Sequence, residues 1–423
     1  MNACIIAELK KEIEAELLSA GEDWGQVEQV VAAEVHRIGQ ALMQAVVGEG
    51  KKGYQGSSLH CPDCGGARRF VGYRNKTVLT RFGTVTVRRA YYHCPTCQAG
   101  TCPYDGQAGL GPEHLSPGLA RICSLLAVDD SFEESARKVR EITGQSVTDD
   151  LIERVVHRVG QVILDRQSEA VRTYFQTHEP PAAQREPARL YITADGTTVH
   201  EEDGWHEAKV GCLYWESGGW KPEKRYLGGL ISSGDFGWRL WLESCRCGYR
   251  QTPEPVFLGD GSGWLRTEHD RHFRRAVFII DWFHGSEHVW TCGKVLFGEG
   301  TRVTAQWVKK RRAWLWKGKI ERLLWDLEVQ ARAACGASRE ALAGLIRYLR
   351  TNKDSMRYDV FRQQGYDIGS GAVEGACKHV VGKRLKGSGM VWSRKGSSTT
   401  LALRLAWLNH EWEAVWRWKP LAA

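Results

Sequence analysis

Apolar residues recur every three or four positions at the start of the chain, first as Ile5, Leu9, Ile13 and Leu17, then as Val27, Val30, Val31 and Val35. That spacing predicts helix up to about residue 48, ended by Gly-Lys-Lys-Gly at 50–53. Alternation then replaces it. The segments FVGYR (70–74) and TVTVRRAYY (84–92) predict two short strands joined through Phe82-Gly83. The helical period returns in PGLARICSLLAV (117–128), SFEESARKVREIT (131–143) and DDLIERVVHRVGQVI (149–163). Ser131 and Thr148 stand where N-caps belong, and Glu134 completes a capping box with Ser131. Three short helices with tight connections fit a helix-turn-helix, and a plain helical linker domain fits the pattern equally.

A linker, HEPPAA (178–183), precedes the longest run of strand signals: LYITADGTTV, HEAKVGCLYWE and KRYLGGLIS, all between 190 and 232. Helix DFGWRLWLESC, strand PEPVFLGDG, helix LRTEHDRHFR and strand AVFIIDWF follow, up to residue 283. Three strands and then alternating helix and strand predict an α/β domain with a mixed sheet. From about 285 to 366 the pattern is helical, and it is helical again from Gly371 to the C-terminus. A chain of 423 residues exceeds one ordinary core, so a multidomain α/β protein is expected.

The 42% hydrophobic and 26% charged content is that of a globular protein. No apolar run approaches the roughly 18 residues that span a bilayer, and acids interrupt the N-terminal segment where a signal peptide would be apolar. A cytoplasmic protein without a membrane partner is therefore expected. Thirteen cysteines in a reducing compartment argue for metal ligation rather than disulfides. The net charge of +8 permits nucleic-acid binding, and the clustering of the basic residues decides it.

Cys61-Pro62-Asp63-Cys64 and Cys94-Pro95-Thr96-Cys97 are two knuckles flanking the predicted hairpin. Four thiolates so spaced supply the tetrahedron that structural zinc requires. His93 and Cys102 lie close enough in sequence to substitute. Between the knuckles stand Arg68, Arg69, Arg74, Lys76, Arg81, Arg88 and Arg89, a density that suits contact with DNA phosphates, with a solvated hairpin face as the alternative.

Three apolar strands each end in an aspartate: Asp195, Asp260 and Asp281. Strand propensity disfavours aspartate, and a polar residue closing a buried strand is where α/β proteins place chemistry. Asp195 in particular is expected at a strand end just before a turn. Clustered carboxylates need cations between them, and hard oxygen ligands select Mg²⁺ or Mn²⁺. Two such ions, about 3.5–4 Å apart, serve phosphoryl transfer. Glu374, in GSGAVEG at 369–375, is the candidate third acid.

The segments ADGTTV, VFLGDGSGWL, IIDWFHGSEHVW and GSGAVEGACKHVVGKRLKGSGMVWS together resemble the ISKra-type insertion-sequence transposases, DDE enzymes distantly related to Mutator-like elements. The resemblance runs from about Cys61 onward. It implies an RNase H-like core interrupted before the glutamate by an all-helical insertion. It also implies Asp195, Asp260 and Glu374 as the catalytic, magnesium-binding acids, with Asp281 and His284 as an accessory motif. Asp281 as the middle acid is the alternative assignment. The organisation expected is then an N-terminal helical segment at 1–53, a zinc ribbon at 54–112 and a helical DNA-binding domain at 113–180. The first part of the core follows at 187–284, the insertion at 285–368, and C-terminal core helices with Glu374 at 369–423.

Basic residues fall where DNA would then lie. Lys378, Lys383, Arg384 and Lys386 follow Glu374, and Lys309, Lys310, Arg311, Arg312, Lys317 and Lys319 are interleaved with Trp307, Trp314 and Trp316 in the insertion. A tryptophan there can stack on a displaced base; a tryptophan core under a solvated helix is the plainer reading. The function expected is metal-dependent cleavage and strand transfer of DNA, on transposon ends and a target, by at least a dimer. A regulatory DNA-binding protein without catalysis and a structure-specific nuclease of the same core are the alternatives.

Overall fold

The computed structural model describes residues 14, 23–216, 218 and 221–422. Ile5, Leu9, Ile13 and Leu17 of the expected first helix lie outside the described residues. The chain forms two compact units, Met1–Ile163 with Glu411–Ala423, and Leu164–His410.

In the first unit, helix α1 (Trp24–Gly48) is capped by Asp23, whose carboxylate accepts the amides of Gly25 and Gln26. A four-stranded antiparallel sheet follows, with β1 (Ser58–His60), β2 (Ala67–Thr80), β3 (Gly83–His93) and β4 (Gly100–Thr101) in sequence order. The β2–β3 hairpin shows the predicted alternation. Val78, Val85, Val87, Ala90 and Tyr92 are buried while Arg69, Arg74 and Arg88 are exposed. Helix α1 joins the hairpin through its glutamines: Gln40 donates to the Thr84 carbonyl at 2.7 Å, and Gln44 both donates to and accepts from the Thr86 backbone.

Beyond the short α2 (Pro103–Ala108) come α3 (Pro117–Ala127), α4 (Phe132–Thr143) and α5 (Asp149–Thr177). Ser131 caps α4 by accepting the Glu134 amide at 3.2 Å, and the Thr148 hydroxyl accepts the Leu151 amide at 3.3 Å. The third helix is not short: it runs for 29 residues, and the boundary between the units falls inside it. Residues 411–423 also group with the first unit rather than with the helices that follow Glu374. Arg121 of α3 is ion-paired with Glu413 there, a tie between positions far apart in sequence.

The second unit is built on a five-stranded sheet in the order β7-β6-β5-β8-β9: β5 (Arg189–Glu201), β6 (Gly204–Trp215), β7 (Glu223–Gly229), β8 (Glu254–Gly259) and β9 (Val277–Ile280). β6 is antiparallel to both β5 and β7, while β8 and β9 run parallel to β5. Leu190–Ala194 are buried in succession, as a strand covered on both faces must be. Helices α6 (Ser233–Arg246) and α7 (Gly263–His272) make the connections into β8 and β9. After β9 the chain is helical: α8 (Trp282–Phe297), α9 (Arg302–Trp316), α10 (Ile320–Ala333), α11 (Gly336–Asn352) and α12 (Tyr358–Gln363).

The chain then returns through α13 (Gly371–Ala376), one wide π-helical turn (Cys377–Gly382), the single turn α14 (Lys383–Leu385) and α15 (Arg394–Leu408). Gly228 on β7 admits Leu401 and Leu405 of α15, which would lie 3.5 Å from a Cβ there. Asn409 then pairs with edge strand β7 as a neighbouring strand would, accepting the Tyr226 amide and donating to its carbonyl, each at 2.8 Å.

Candidate functional site

The ends of two strands and the middle of a third define the site. Parallel pairing of β5 with β8 stops at Thr193–Leu258, and pairing of β8 with β9 stops at Gly259–Ile280. Asp260 and Asp281 are therefore the first residues past adjacent strand ends. Asp195 differs from expectation. It precedes no turn, because β5 continues through it to Glu201, held by antiparallel pairing with β6 at Val210. Asp195 instead stands two residues past its last parallel partner, level with the point where β8 has ended and Asp260 begins. Loss of the neighbour opens the sheet there, rather than a bend in β5.

Asp195, Asp260, Asp281, His284 and Glu374 line one cleft of about 690 Å³, together with Phe283, Ser286, Glu287, Trp290, Lys294, Arg312 and Ser370. The Asp195 carboxyl is held above the usual range, first by burial and then by the negative charges of Asp260 and Glu374, with the Gly196 amide and His284 opposing. The three acids thus sense one another. Among the described residues, however, their oxygens do not gather as a set within 4.8 Å, as the ligand atoms of two other groups do. Like charges without a cation between them hold apart, and Glu374 is exposed on α13.

Asp260 and Asp281 have different surroundings. Asp260 is half-buried, and one oxygen accepts the Ser262 amide at 2.8 Å. Asp281 is only 1% exposed, and both its oxygens are engaged. Oδ1 caps α8 by accepting the His284 amide at 2.7 Å, and Oδ2 accepts the amide of Ser370. The Trp282 amide donates to the Ile368 carbonyl at 2.8 Å beside it. Asp281 therefore clasps the returning segment that carries Glu374, and Ser370 in turn donates to Glu374 at 3.2 Å. His284 is half-buried, 3.8 Å from Glu287.

The cleft wall came only partly from the sequence. Arg312 was expected near DNA and does line the cleft, its guanidinium over Trp282. Phe283, Glu287, Trp290 and Lys294 were not singled out, although their spacing of four, three and four residues placed them on one face of α8. Phe283 is 64% exposed there.

Several expected DNA contacts are corrected. Arg384 is 1% exposed and lies over Trp392, and Arg311 is 5% exposed, paired with Asp326 and stacked on Trp307. The π-helical turn before α14 rotates the basic run, so Lys378, Lys383 and Lys386 face outward while Arg384 turns in. Lys386 donates to Thr197 just beyond Asp195 at 2.5 Å. Lys309, Lys310, Lys317 and Lys319 are exposed. Trp307 is buried and donates to Gln330, while Trp314 and Trp316 sit under Arg322 and Arg362. These three tryptophans are packing residues, and Trp290 is the tryptophan in the cleft.

In the first unit, Cys61, Cys64, Cys94 and Cys97 bring their sulfurs within 4.8 Å of one another, with Cys61–Cys97 and Cys64–Cys94 at 3.6 Å. One knuckle precedes β2 and the other follows β3, so both lie at the open end of the hairpin, which brings the pairs together. The Cys94 thiol is pulled down to about 6, chiefly by the backbone amide of Cys97 and then, against burial, by that of Thr96. A ready thiolate among four soft donors suits zinc. Cys102 is not part of this set: its sulfur receives Arg89 at 3.1 Å. His93 is not in it either.

The same geometry divides the hairpin's arginines. Arg68 is paired with Asp63 at 2.5 Å, Arg89 with Asp105 at 2.7 Å, and Lys76 is buried against the Gly111 carbonyl. Arg69, Arg74, Arg81 and Arg88 remain exposed, Arg74 over Tyr91 and Arg88 over Tyr73.

Fold and sites define a multi-unit mixed α/β protein with a four-cysteine metal-binding cluster and an acidic cleft at the strand ends of its larger sheet. The model of the uncharacterised protein family UPF0236 matches residues 66–419, and the chain belongs to that family. It is 25% identical over 335 residues to the "UPF0236 protein in vanSb 3'region" of Streptococcus gallolyticus, covering 74% of this chain and 69% of that one. Among the described residues, no helix is long and apolar enough to cross a membrane.

Proposed function

We propose that the protein is a DNA transposase of the Asp-Asp-Glu class, whose sheet unit is an RNase H-like core with a helical insertion. The observation that carries this reading is the convergence of Asp195, Asp260 and Glu374 on one cleft, where β8 ends beside the middle of β5. Three antiparallel strands followed by two parallel ones, with helices 282–363 placed between the last strand and the glutamate, support the core and the insertion that the resemblance implies.

The carboxylates fit a divalent cation, because burial first, and then the charges of Asp260 and Glu374, hold the Asp195 carboxyl above its usual range. Asp195, Asp260 and Glu374 would hold two Mg²⁺ or Mn²⁺ ions, which supply an activated nucleophile and a stabilised leaving oxygen in phosphoryl transfer. Asp281 orients the Glu374 segment through its bonds to Ser370 and His284. Arg312 and Lys294 at the cleft wall and the outward Lys378, Lys383 and Lys386 receive phosphates. The hairpin's Arg69, Arg74 and Arg88 and the helical segment 113–180 bind duplex DNA at element ends, and zinc holds the hairpin in shape. Cutting two ends together calls for at least a dimer on the DNA, acting in the cytoplasm.

The test is cleavage of DNA bearing the element's own ends with Mg²⁺, assayed for both nicked and joined product. Asp260→Ala is expected to abolish both products, while Asp281→Ala retains residual cleavage. The opposite result makes Asp281 the middle acid. Nicks without joining identify a nuclease, and binding without either product identifies a regulator.

A further inference from the structure

Helix α11 brings to Gly261, the residue after Asp260, a side chain that does not itself line the cleft and that none of the preceding roles uses. The ring of Tyr348 stacks on His288, with centroids 3.8 Å apart and planes at 28°, and His288 lies 5.3 Å from His284. This stacking fixes where the phenol points. Its oxygen would lie 3.8 Å from a Cβ at Gly261, the residue after Asp260. The hydroxyl is buried, and no protein group among the described residues is within hydrogen-bond reach of it.

Burial, then the charges of Asp260 and Asp281, keep the phenol protonated by holding its pKa above the usual range. Buried hydroxyls are ordinarily satisfied, and one left over beside carboxylates suits a ligand. Tyr358 is a contrast. Its hydroxyl is also without a protein partner, but it would meet a Cβ at Gly285 at 2.8 Å and so packs under α8 instead.

We propose that Tyr348 is a positioning residue for a divalent cation at Asp260, its hydroxyl oxygen accepting a hydrogen bond from a water on that cation. This rests on the acidic cleft being a cation site. A cation polarises its water into a strong donor, and a neutral phenol beside Asp260 offers an acceptor without adding another negative charge. Partners of this kind around a metal's ligands typically contribute about 10- to 100-fold in affinity. Tyr348 also belongs to the helical block, so cation binding at the sheet becomes dependent on how α11 is seated.

The experiment is Mn²⁺ binding to the full-length, zinc-loaded chain, read from the signal of free Mn²⁺ by electron paramagnetic resonance, together with thermal unfolding. Wild type, Asp260→Asn, Tyr348→Phe and Tyr348→Leu are compared. The expected result is Mn²⁺ binding that Asp260→Asn removes and Tyr348→Phe weakens about tenfold, with the Phe variant unfolding at the wild-type temperature. Tyr348→Leu, which loses the ring stack, is expected to unfold at a lower temperature. Wild-type affinity in Tyr348→Phe, with Asp260→Asn still defective, overturns the role of Tyr348 and leaves the acidic site standing. A Tyr348→Phe variant that loses affinity and thermal stability together assigns the hydroxyl to packing and overturns the proposal. No Mn²⁺ binding in wild type, or binding indifferent to Asp260→Asn, overturns the cation-site reading itself.

Discussion

Two aspartates one strand apart, each closing a strand, do unlike work, and the difference lies in their amides. Both oxygens of the buried Asp281 accept backbone N–H groups, whereas Asp260 has one oxygen so engaged and is half-buried at the cleft. Replacing a buried cap that also clasps a second segment costs about 2 kcal/mol. Asp281→Ala is therefore expected to lower the unfolding temperature by several degrees, and Asp260→Ala to leave it nearly unchanged, both read by calorimetry. Asp195 has the opposite sign. Its folded pKa is raised, so its charge is disfavoured in the fold above that pKa, and the penalty disappears as pH falls through it. Asp195→Asn, measured with chelator present, is expected to raise the unfolding temperature at pH 7. The gain should shrink as the solution is made acid enough to protonate Asp195 in the parent. An Asn variant less stable than wild type at pH 7 would contradict this account of the site.

Elements were legible where one periodicity ran unbroken. The β2–β3 alternation, the buried run of β5 and the caps at Ser131 and Thr148 needed only local rules. Continuation of β5 past Asp195 was not legible, because it depends on pairing with β6, and ADGT reads locally as a turn. The inward rotation of Arg384 was hidden for a similar reason: one π-helical turn at 377–382 shifts the face, and a count at 3.6 residues per turn cannot register it. The pairing of Arg311 is not legible locally, because a basic run looks alike whether or not an Asp326 waits on the next helix.

The four-cysteine cluster was fully readable, since ligand spacing is itself the signal. It also carries an element-scale prediction. The β2–β3 hairpin is closed at its open end by the two knuckles, and its short flanking strands add little pairing of their own. Cys97→Ser, or zinc chelation, is expected to remove hydrogen-exchange protection across 58–101. Amides of β5, β6 and β8 should keep theirs, as measured by mass spectrometry.

For the whole molecule, a net charge of +8 says little until buried and paired charges are set aside. Arg68, Arg89, Arg311 and Arg384 contribute to that total yet are engaged within the protein. Exposed cations include Arg69, Arg74 and Arg88 on the hairpin and Lys378, Lys383 and Lys386 after Glu374. If both sets neutralise phosphates, each cation removed should flatten the dependence of log K on log salt by about 0.9. Alanine at Lys378, Lys383 and Lys386 together is expected to reduce the slope by about 2.7, and alanine at Arg74 with Arg88 by about 1.8. Combining the sets should give the sum, because they lie in different compact units. Arg384→Ala supplies the control. It should lower the unfolding temperature by stripping the charge from over Trp392, yet leave the slope where it was. A slope that falls with Arg384→Ala but not with the lysine triple variant would place the DNA on a different face of the segment after Glu374.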